Sequence, residues 1–159
     1  MKKIIVILLC LMVLATGAFA MEKTVGGGVA WRNFEELTGF GLFGFFGPGR
    51  FIELSAGFST YEYNYGYGYT GSFQTAQIGV YGKYPFVISR FVLFPTAGIE
   101  LEYEFEHGEL IFWLLFGGGL DFYLTDKMFL RAHLLIGRGQ IDEYSGFGQS
   151  IKLGIGWMF

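Results

Sequence analysis

"IKLGIGWMF", residues 151–159, ends the chain on a regular alternation of apolar side chains. Successive side chains of a β-strand point to opposite faces of the sheet, so this stretch predicts a strand with one apolar and aromatic face. Chain ends usually fray into water. A terminal strand with such a face must therefore lie against something apolar. The alternating residues are Ile151, Leu153, Ile155, Trp157 and Phe159.

The same alternation returns along the chain, with turn residues between the copies. In "FIELSAGFST", residues 51–60, apolar side chains again take every second place and the others are small or polar. No apolar run after residue 20 approaches the roughly 20 residues that a spanning helix needs. The sequence predicts eight strands, at residues 24–32, 38–46, 51–62, 73–84, 90–104, 110–124, 128–139 and 148–159.

The connections between these strands are of two kinds. "GPGR" at residues 47–50 and "TDK" at residues 125–127 are typical of tight turns. "YNYGYGYTG" at residues 63–71 and "IDEYSGFG" at residues 141–148 are longer and polar. Short turns that alternate with longer loops favour an all-β fold, a closed up-and-down antiparallel barrel of eight strands.

The first twenty residues have the order of a secretory signal: Lys2 and Lys3, an apolar stretch, then small residues before position 21. We expect cleavage there and a barrel over residues 21–159. Loss of the two lysines takes the net charge from -3 to -5, which gives no reason to expect a nucleic-acid partner. Cys10, the single cysteine, leaves with the signal. The mature chain then has no disulfide and no thiolate metal site.

The signal, the eight alternating strands and the final "GWMF" resemble the small bacterial outer-membrane barrels of the OmpA-transmembrane-domain and OmpX type. The resemblance covers the whole predicted mature chain and implies a monomer in the outer membrane, in contact with its lipid. In that family the terminal aromatic strand is read by the barrel-insertion machinery. By resemblance, residues 151–159 serve as the insertion signal and as an aromatic anchor.

Parity assigns the charged residues of the strands to the inner face of this barrel, because the apolar residues take the outer one. Gln77, Tyr81, Trp113 and Phe43 are expected to face inward with them. The predicted lumen network consists of Arg32, Glu53, Lys83, Glu100, Glu102, Asp121, Arg131, His133 and Lys152.

The positions of the predicted turns indicate which of these charged residues lie opposite each other on neighbouring strands. A turn centred near Asp126 places Asp121 opposite Arg131, and a loop centred near Gly68 places Glu53 opposite Lys83. Buried charges persist only when they are paired, and the interior of an eight-stranded barrel is just wide enough for its own side chains. We therefore expect a lumen plugged by ion pairs, with His133 hydrogen-bonded near Arg131.

Three groups of residues suggest other chemistry. Glu100 and Glu102 share one strand face, as catalytic carboxylates do, but neutralisation of lumen cations explains them as well. Glu104, Glu106, His107 and Glu109 form a weak candidate for a metal site, and a solvated acidic loop tip is the alternative. Five tyrosines are interpreted as an outer girdle and a loop tip with a possible partner contact: Tyr61, Tyr63, Tyr65, Tyr67 and Tyr69.

We predict a non-enzymatic barrel, without cofactor or metal, that has a structural role or a surface-interaction role through short acidic and tyrosine-rich loops; the sequence identifies no extracellular partner. Three alternatives stay open: an outer-membrane lipid-modifying enzyme, a narrow pore, and a secreted lipid-binding barrel of the lipocalin kind. The enzyme requires a serine, histidine and acid at one rim, and the lipocalin kind requires the apolar face inside. The acidic outer end is formed by Glu35, Glu36, Glu62, Glu106, Glu109, Asp142 and Glu143.

Overall fold

The computed structural model describes residues 22–35, 37–64, 70–141 and 144–159, which form nine strands. Within these residues no helix is long and apolar enough to span a membrane. The predicted signal, the loop residues 65–69, Glu36, Asp142 and Glu143 lie outside the described residues. The strands are β1 (Thr24–Phe34), β2 (Leu37–Gly47), β3 (Ile52–Asn64), β4 (Thr70–Lys83), β5 (Phe86–Ile88), β6 (Phe91–Glu104), β7 (Leu110–Tyr123), β8 (Met128–Ile141) and β9 (Tyr144–Met158).

Eight of these strands close into an antiparallel up-and-down barrel, as predicted. Each long strand pairs with the next along the chain, and the β4–β6 and β1–β9 pairings complete the cylinder. The last strand is hydrogen-bonded to the first as far as Lys23, whose backbone N–H donates to the carbonyl of Phe159 at 3.0 Å. We call the end that carries Lys23 and Phe159 the termini end, and the opposite end the loop end.

Strand β5 was not predicted. It pairs with residues 91–93 at the start of β6, beyond the point where the β4–β6 ladder stops at Lys83 and Thr96. Pro95 lies at this junction; proline has no N–H to donate, so it suits a position where one ladder ends and another begins. Ser89, with a φ of 56°, closes the hairpin between β5 and β6.

Strand structure extends into both connections that were predicted as long loops. The β3–β4 ladder continues to Asn64 and Thr70, and the β8–β9 ladder to Ile141 and Tyr144. Only residues 65–69 and 142–143 separate these strands. Tyrosine and threonine favour strands, so the hairpins continue through stretches that composition alone marks as loop.

Apolar side chains cover the outside of the barrel and charged side chains fill the inside. On β9, Leu153 and Trp157 are 52% and 47% exposed, whereas Lys152 between Ile151 and Leu153 is 1% exposed. The same alternation follows β6, where Glu100 and Glu102 are buried and Ile99 and Leu101 are exposed. This is the opposite of the arrangement that a soluble lipid-binding barrel requires.

Large rings fit into the narrow lumen because glycines lie opposite them. Each of six inward-facing aromatic residues has a glycine as its partner on the neighbouring strand, and a Cβ there would lie 2.2 to 2.9 Å from the ring. This use of glycine in a strand marks close approach of a neighbouring group. The pairs are Phe45–Gly26, Tyr61–Gly39, Tyr81–Gly98, Phe94–Gly119, Trp113–Gly139 and Phe129–Gly156.

Replacement of Gly26 by alanine is expected to destabilise the barrel by roughly 1–3 kcal/mol, the usual cost of overpacking. Its Cβ would lie 2.3 Å from both the Phe45 ring and the backbone oxygen of Ile155. Gly44→Ala on the adjoining strand is the control, since the nearest atom to its Cβ is 3.6 Å away. Urea unfolding in detergent micelles measures both variants. Equal stabilities would contradict the role of the ring–glycine contact.

Candidate functional site in the barrel lumen

The lumen holds two clusters of charged residues. The termini-end cluster consists of Glu53, Lys83, Asp121 and Arg131. The loop-end cluster consists of Arg32, Glu100, Glu102 and Lys152. All eight side chains are buried or nearly so, the most exposed being that of Lys83 at 8%. Together with His133, these are the residues that the sequence placed on the inner face.

Arg131 connects the termini-end cluster. It lies directly opposite Asp121 in the β7–β8 register, and its Nε and Nη2 donate to the two carboxylate oxygens of Asp121 at 2.6 and 2.7 Å. Its Nη1 donates to Glu53, whose Oε2 also accepts a hydrogen bond from Lys83 Nζ at 2.9 Å. A bidentate arginine–carboxylate pair is among the stronger hydrogen-bonded arrangements in proteins.

The contact between Glu53 and Lys83 has a different register from the expected one. Glu53 is opposite Tyr81, because the β3–β4 hairpin is centred on residue 67 and not on residue 68. Lys83 lies two residues further along β4, on the same face, and reaches Glu53 diagonally. Diagonal neighbours in antiparallel sheets are within reach of long side chains.

Aromatic rings surround the Arg131 guanidinium. Its Cζ lies 4.1 Å from the centroid of the Phe45 ring, 5.1 Å from that of Phe94 and 5.2 Å from that of Phe129. The negative faces of these rings attract the cation electrostatically and exclude water from it. The ion pairs of Arg131 therefore operate in a poorly solvated environment.

In the loop-end cluster, every carboxylate oxygen has a donor. Arg32 bridges the two glutamates through Nη2 to Glu100 Oε1 and Nη1 to Glu102 Oε2, the second contact being 3.2 Å. The other oxygen of Glu100 accepts from Tyr81 and from Lys152 Nζ, the latter at 3.2 Å.

Glu102 is held equally completely. Its Oε1 accepts from Thr75 Oγ1 at 2.7 Å and its Oε2 from Trp113 Nε1 at 2.8 Å. A catalytic carboxylate needs a substrate within hydrogen-bond reach. Glu100 and Glu102 are 1% and 0% exposed, so their oxygens face protein donors only.

His133 lies between the two clusters and is 3% exposed. Its ring stands edge-on to those of Tyr81 and Phe94, with centroids 5.9 and 5.5 Å apart. In the register it is opposite Lys152. Its Nε2 has no hydrogen-bond partner among the described residues. A hydrolase needs a nucleophile, such as a serine hydroxyl, within hydrogen-bond reach of this nitrogen, and none of the described residues supplies one.

Two cavities border the charged clusters. At the termini end a cavity of about 350 Å³ opens among Arg50, Val87 and Tyr123 and reaches inward to Arg131 and Phe94. Near the loop end a cavity of about 10 Å³ lies beside Arg32 and Trp113, which is about the room that one water molecule needs.

The acidic residues near Gly108 form a smaller group than expected. Ligand atoms of Glu104, Glu106 and His107 lie within 4.8 Å of one another, and Glu109 is not part of the set. Glu104 Oε1 already accepts hydrogen bonds from the His107 backbone N–H at 3.2 Å and contacts its Nδ1 at 2.8 Å. This hydrogen bond and the Glu104 charge raise the pKa of the exposed His107. A histidine–carboxylate pair accounts for the arrangement.

The tyrosines do not all form an outer girdle. Tyr61 faces the lumen and is 3% exposed, with its ring stacked on that of Phe73 at a centroid distance of 5.2 Å. Tyr61 is an even number of residues from Glu53 on the same strand, so the alternation of side chains already places it on the inner face. Tyr63 packs against the same Phe73 ring, at 6.1 Å. Tyr65, Tyr67 and Tyr69 fall outside the described residues.

Solved structures show the same architecture. The N-terminal β-barrel domain of Pseudomonas aeruginosa OprF superposes with a TM-score of 0.53 at 14% identity, over 86% of this chain and 97% of that one. Ail, the attachment invasion locus protein of Yersinia pestis, gives 0.52 at 15% identity, over 87% and 99%. The outer membrane protein OprG from Pseudomonas aeruginosa gives 0.53 at 11% identity, over 87% and 96%.

The chain has the fold of these small eight-stranded outer-membrane barrels. No protein-family model and no curated protein matches the chain. Ail has also been crystallised with the heparin analogue sucrose octasulfate. At identities of 11–15% the similarity establishes the barrel fold alone. The function depends on the residues of this chain's own lumen and rim.

Replacement of Arg131 by methionine is expected to lower the free energy of unfolding by about 3–5 kcal/mol, because it leaves buried carboxylates without their cation. Lys127→Met, at an exposed turn, is the control and should change stability by less than about 0.5 kcal/mol. Tryptophan fluorescence during urea unfolding in micelles provides the measurement. Addition of Asp121→Asn to Arg131→Met should recover part of the loss of stability. Equal stabilities of Arg131→Met and Lys127→Met would contradict a stabilising role for the ion pairs of Arg131.

Proposed function

We propose that the chain is a non-enzymatic integral outer-membrane barrel whose lumen is closed by its own ion pairs and whose acidic loop end is a contact surface. The observation that carries the proposal is the orientation of the side chains of the wall, which is apolar on the outside and charged on the inside. Exposed Ile151, Leu153 and Ile155 alternate with buried Lys152, which is the pattern of a barrel whose outer surface meets lipid.

A structural lumen follows from the contacts of its charges. Arg32 and Arg131 each bridge two carboxylates, and rings from several strands fill the remaining space. Because desolvated charges cost several kcal/mol each when unpaired, such clusters hold one arrangement of the strands. The role of this lumen is to stabilise the wall, and it provides neither a channel nor a catalytic centre.

The terminal strand supports the proposed biogenesis. Ile151, Leu153, Ile155 and Trp157 lie on the outer wall, whereas Met158 borders the termini-end cavity; Trp157 and Phe159 are exposed at the termini end. By the resemblance described above, this strand is the insertion signal that the assembly machinery reads. Residues 1–20 are the proposed leader that directs export, and the assembled barrel is a monomer.

The two ends carry opposite charge. The loop end carries Glu35, Glu62, Glu106 and Glu109. The termini end carries four cations, Lys23, Arg50, Arg90 and Lys127, against two carboxylates, Glu22 and Asp126, of which Glu22 is paired with Arg50. An acidic rim attracts cationic groups, and the attraction is screened beyond about 8 Å at physiological salt. Ail, a protein with this fold, was crystallised with a polyanion; for this chain we propose a partner with a basic surface.

The membrane assignment is tested with the full chain expressed in a Gram-negative host. We expect it in the outer-membrane fraction, with a mature N-terminus at residue 21. The unboiled protein should migrate as a compact species that boiling converts to full mass, because a closed barrel resists detergent. A soluble periplasmic protein would overturn the proposal and leave a secreted carrier barrel.

Reconstitution in planar bilayers tests the closed lumen. The wild-type barrel should give no conductance steps, and the triple variant Arg32→Ala, Glu100→Ala, Glu102→Ala should give openings, because it removes the residues that fill the loop-end half. Leu114→Ala on the outer wall is the control and should stay silent. Steps from the wild-type protein that match those of the triple variant would favour a narrow pore.

Binding of a decalysine peptide to the barrel in neutral nanodiscs tests the contact surface. Glu62→Gln with Glu106→Gln and Glu109→Gln should weaken binding by several-fold at low salt, and 0.5 M salt should abolish the difference, since exposed charges are screened. Glu22→Gln at the termini end is the control. Binding that is equal in both variants would contradict a role for the acidic rim.

A further inference from the structure

Arg138 is the exception in the distribution of cations. All Lys and Arg residues from Lys23 onwards are described. Four lie in the lumen clusters and four at the termini end, but Arg138 projects from the outer wall near the loop end. The four in the lumen are Arg32, Lys83, Arg131 and Lys152, and the four at the termini end are Lys23, Arg50, Arg90 and Lys127. The sequence prediction did not assign Arg138 to either face.

We infer that Arg138 binds the phosphate of an anionic lipid in the outer leaflet. The inference rests on the proposed membrane orientation, in which the loop end faces outward. On the outer face of β8, apolar side chains give way to polar ones at this position. Leu134 and Ile136 are 50% and 56% exposed, and Arg138 and Gln140 follow them on the same face.

On β9 and β1 the outer face becomes polar near the same level, whereas on the other neighbour, β7, it stays apolar at Leu114, Phe112 and Leu110. On β9, outward-facing Ile151 is followed towards the loop end by Gln149, which pairs with Ile136. On β1, Asn33 pairs with Gln149. An arginine on the lipid face costs about 2–4 kcal/mol at the bilayer midplane but only about 0–1 near the interface. Arg138 therefore lies where the hydrocarbon meets the headgroups.

The charge of Arg138 is not neutralised by the described part of the chain. No carboxylate there lies within 4 Å of its guanidinium, and its Nη2 donates to the hydroxyl of Ser145. A guanidinium has five N–H donors in a planar fork, which matches the geometry of phosphate oxygens. Several donors are thus available to a ligand at headgroup depth.

An apolar contact lies beside this cation. Phe147 is opposite Arg138 in the β8–β9 register and is 76% exposed, the highest value among the exposed large hydrophobic residues of the described chain. Leu114 lies opposite on the other side, in β7. A cation flanked by an exposed ring and a leucine is complementary to a molecule with both a phosphate and an acyl chain.

The acidic rim favours a lipid over a soluble anion as the source of this phosphate. Glu35 and Glu62 at the loop end repel anions that approach from the medium. A lipid phosphate instead reaches Arg138 from the side, within the membrane plane and below the rim. Its acyl chains already cover the wall, so little further ordering is required.

The test uses the full-length protein, purified in a neutral detergent, with phosphatidylglycerol and lipid A added as separate probes and retained lipid counted by native mass spectrometry. Arg138→Gln should retain about tenfold less of the anionic lipid, the effect of losing a charge-assisted hydrogen bond. Arg90→Gln, at the termini end, is the matched control and should retain as much as wild type. Arg138→Lys should retain an intermediate amount, because it keeps the charge but not the fork.

Addition of inorganic phosphate at millimolar concentration distinguishes a lipid phosphate from a soluble anion as the ligand of Arg138. Inorganic phosphate should not displace the lipid. Equal retention by wild type and Arg138→Gln, or displacement by inorganic phosphate, would overturn the inference. Gel mobility before and after boiling shows independently whether each variant is a folded barrel. A folded Arg138→Gln barrel without lipid loss refutes the lipid site alone, whereas failure of the wild type to fold in detergent refutes the membrane proposal.

Discussion

Backbone N–H and C=O groups inside a hydrocarbon layer have no water to bind, so a sheet that crosses it can have no free edge. The pairing of β1 with β9 and of β4 with β6 removes both edges of this sheet. Closure then fixes the faces: one parity set of side chains must enter a narrow interior. The glycines opposite Phe45 and Trp113, and the ion pairs of Arg131, are responses to that confinement.

The lumen combines two ways of filling a restricted space. Rings lie over glycines on the neighbouring strand, and carboxylates are bridged by arginines that connect distant strands. Arg131 illustrates both, since it binds Asp121 on β7 and Glu53 on β3 while contacting the Phe45 ring on β2. Such contacts across the barrel resist changes in its cross-section, which adjacent-strand hydrogen bonds alone do not.

Alternation in the sequence was sufficient to predict the closed barrel and the inward set, because a period of two assigns each residue to a face. It also predicted that Asp121 lies opposite Arg131. In the β3–β4 hairpin, however, Glu53 lies opposite Tyr81 and not Lys83, because the centre of a hairpin depends on its turn conformation. Strand β5 was missed, since three residues between Pro85 and a Ser–Arg turn carry no periodic signal. The exposure of Arg138 could be interpreted only from the structure, which shows that the apolar outer face of β8 ends at Ile136.

The partnership of the first and last strands also governs how the molecule is made. Thr24 pairs with Met158, so the contacts that complete the cylinder join the two extremes of the sequence, and contacts of such separation form slowly. Until residue 158 has been synthesised, β1 has an unpaired edge. The closing ladder can therefore form only after nearly the whole chain has been synthesised, so closure is a late event in folding.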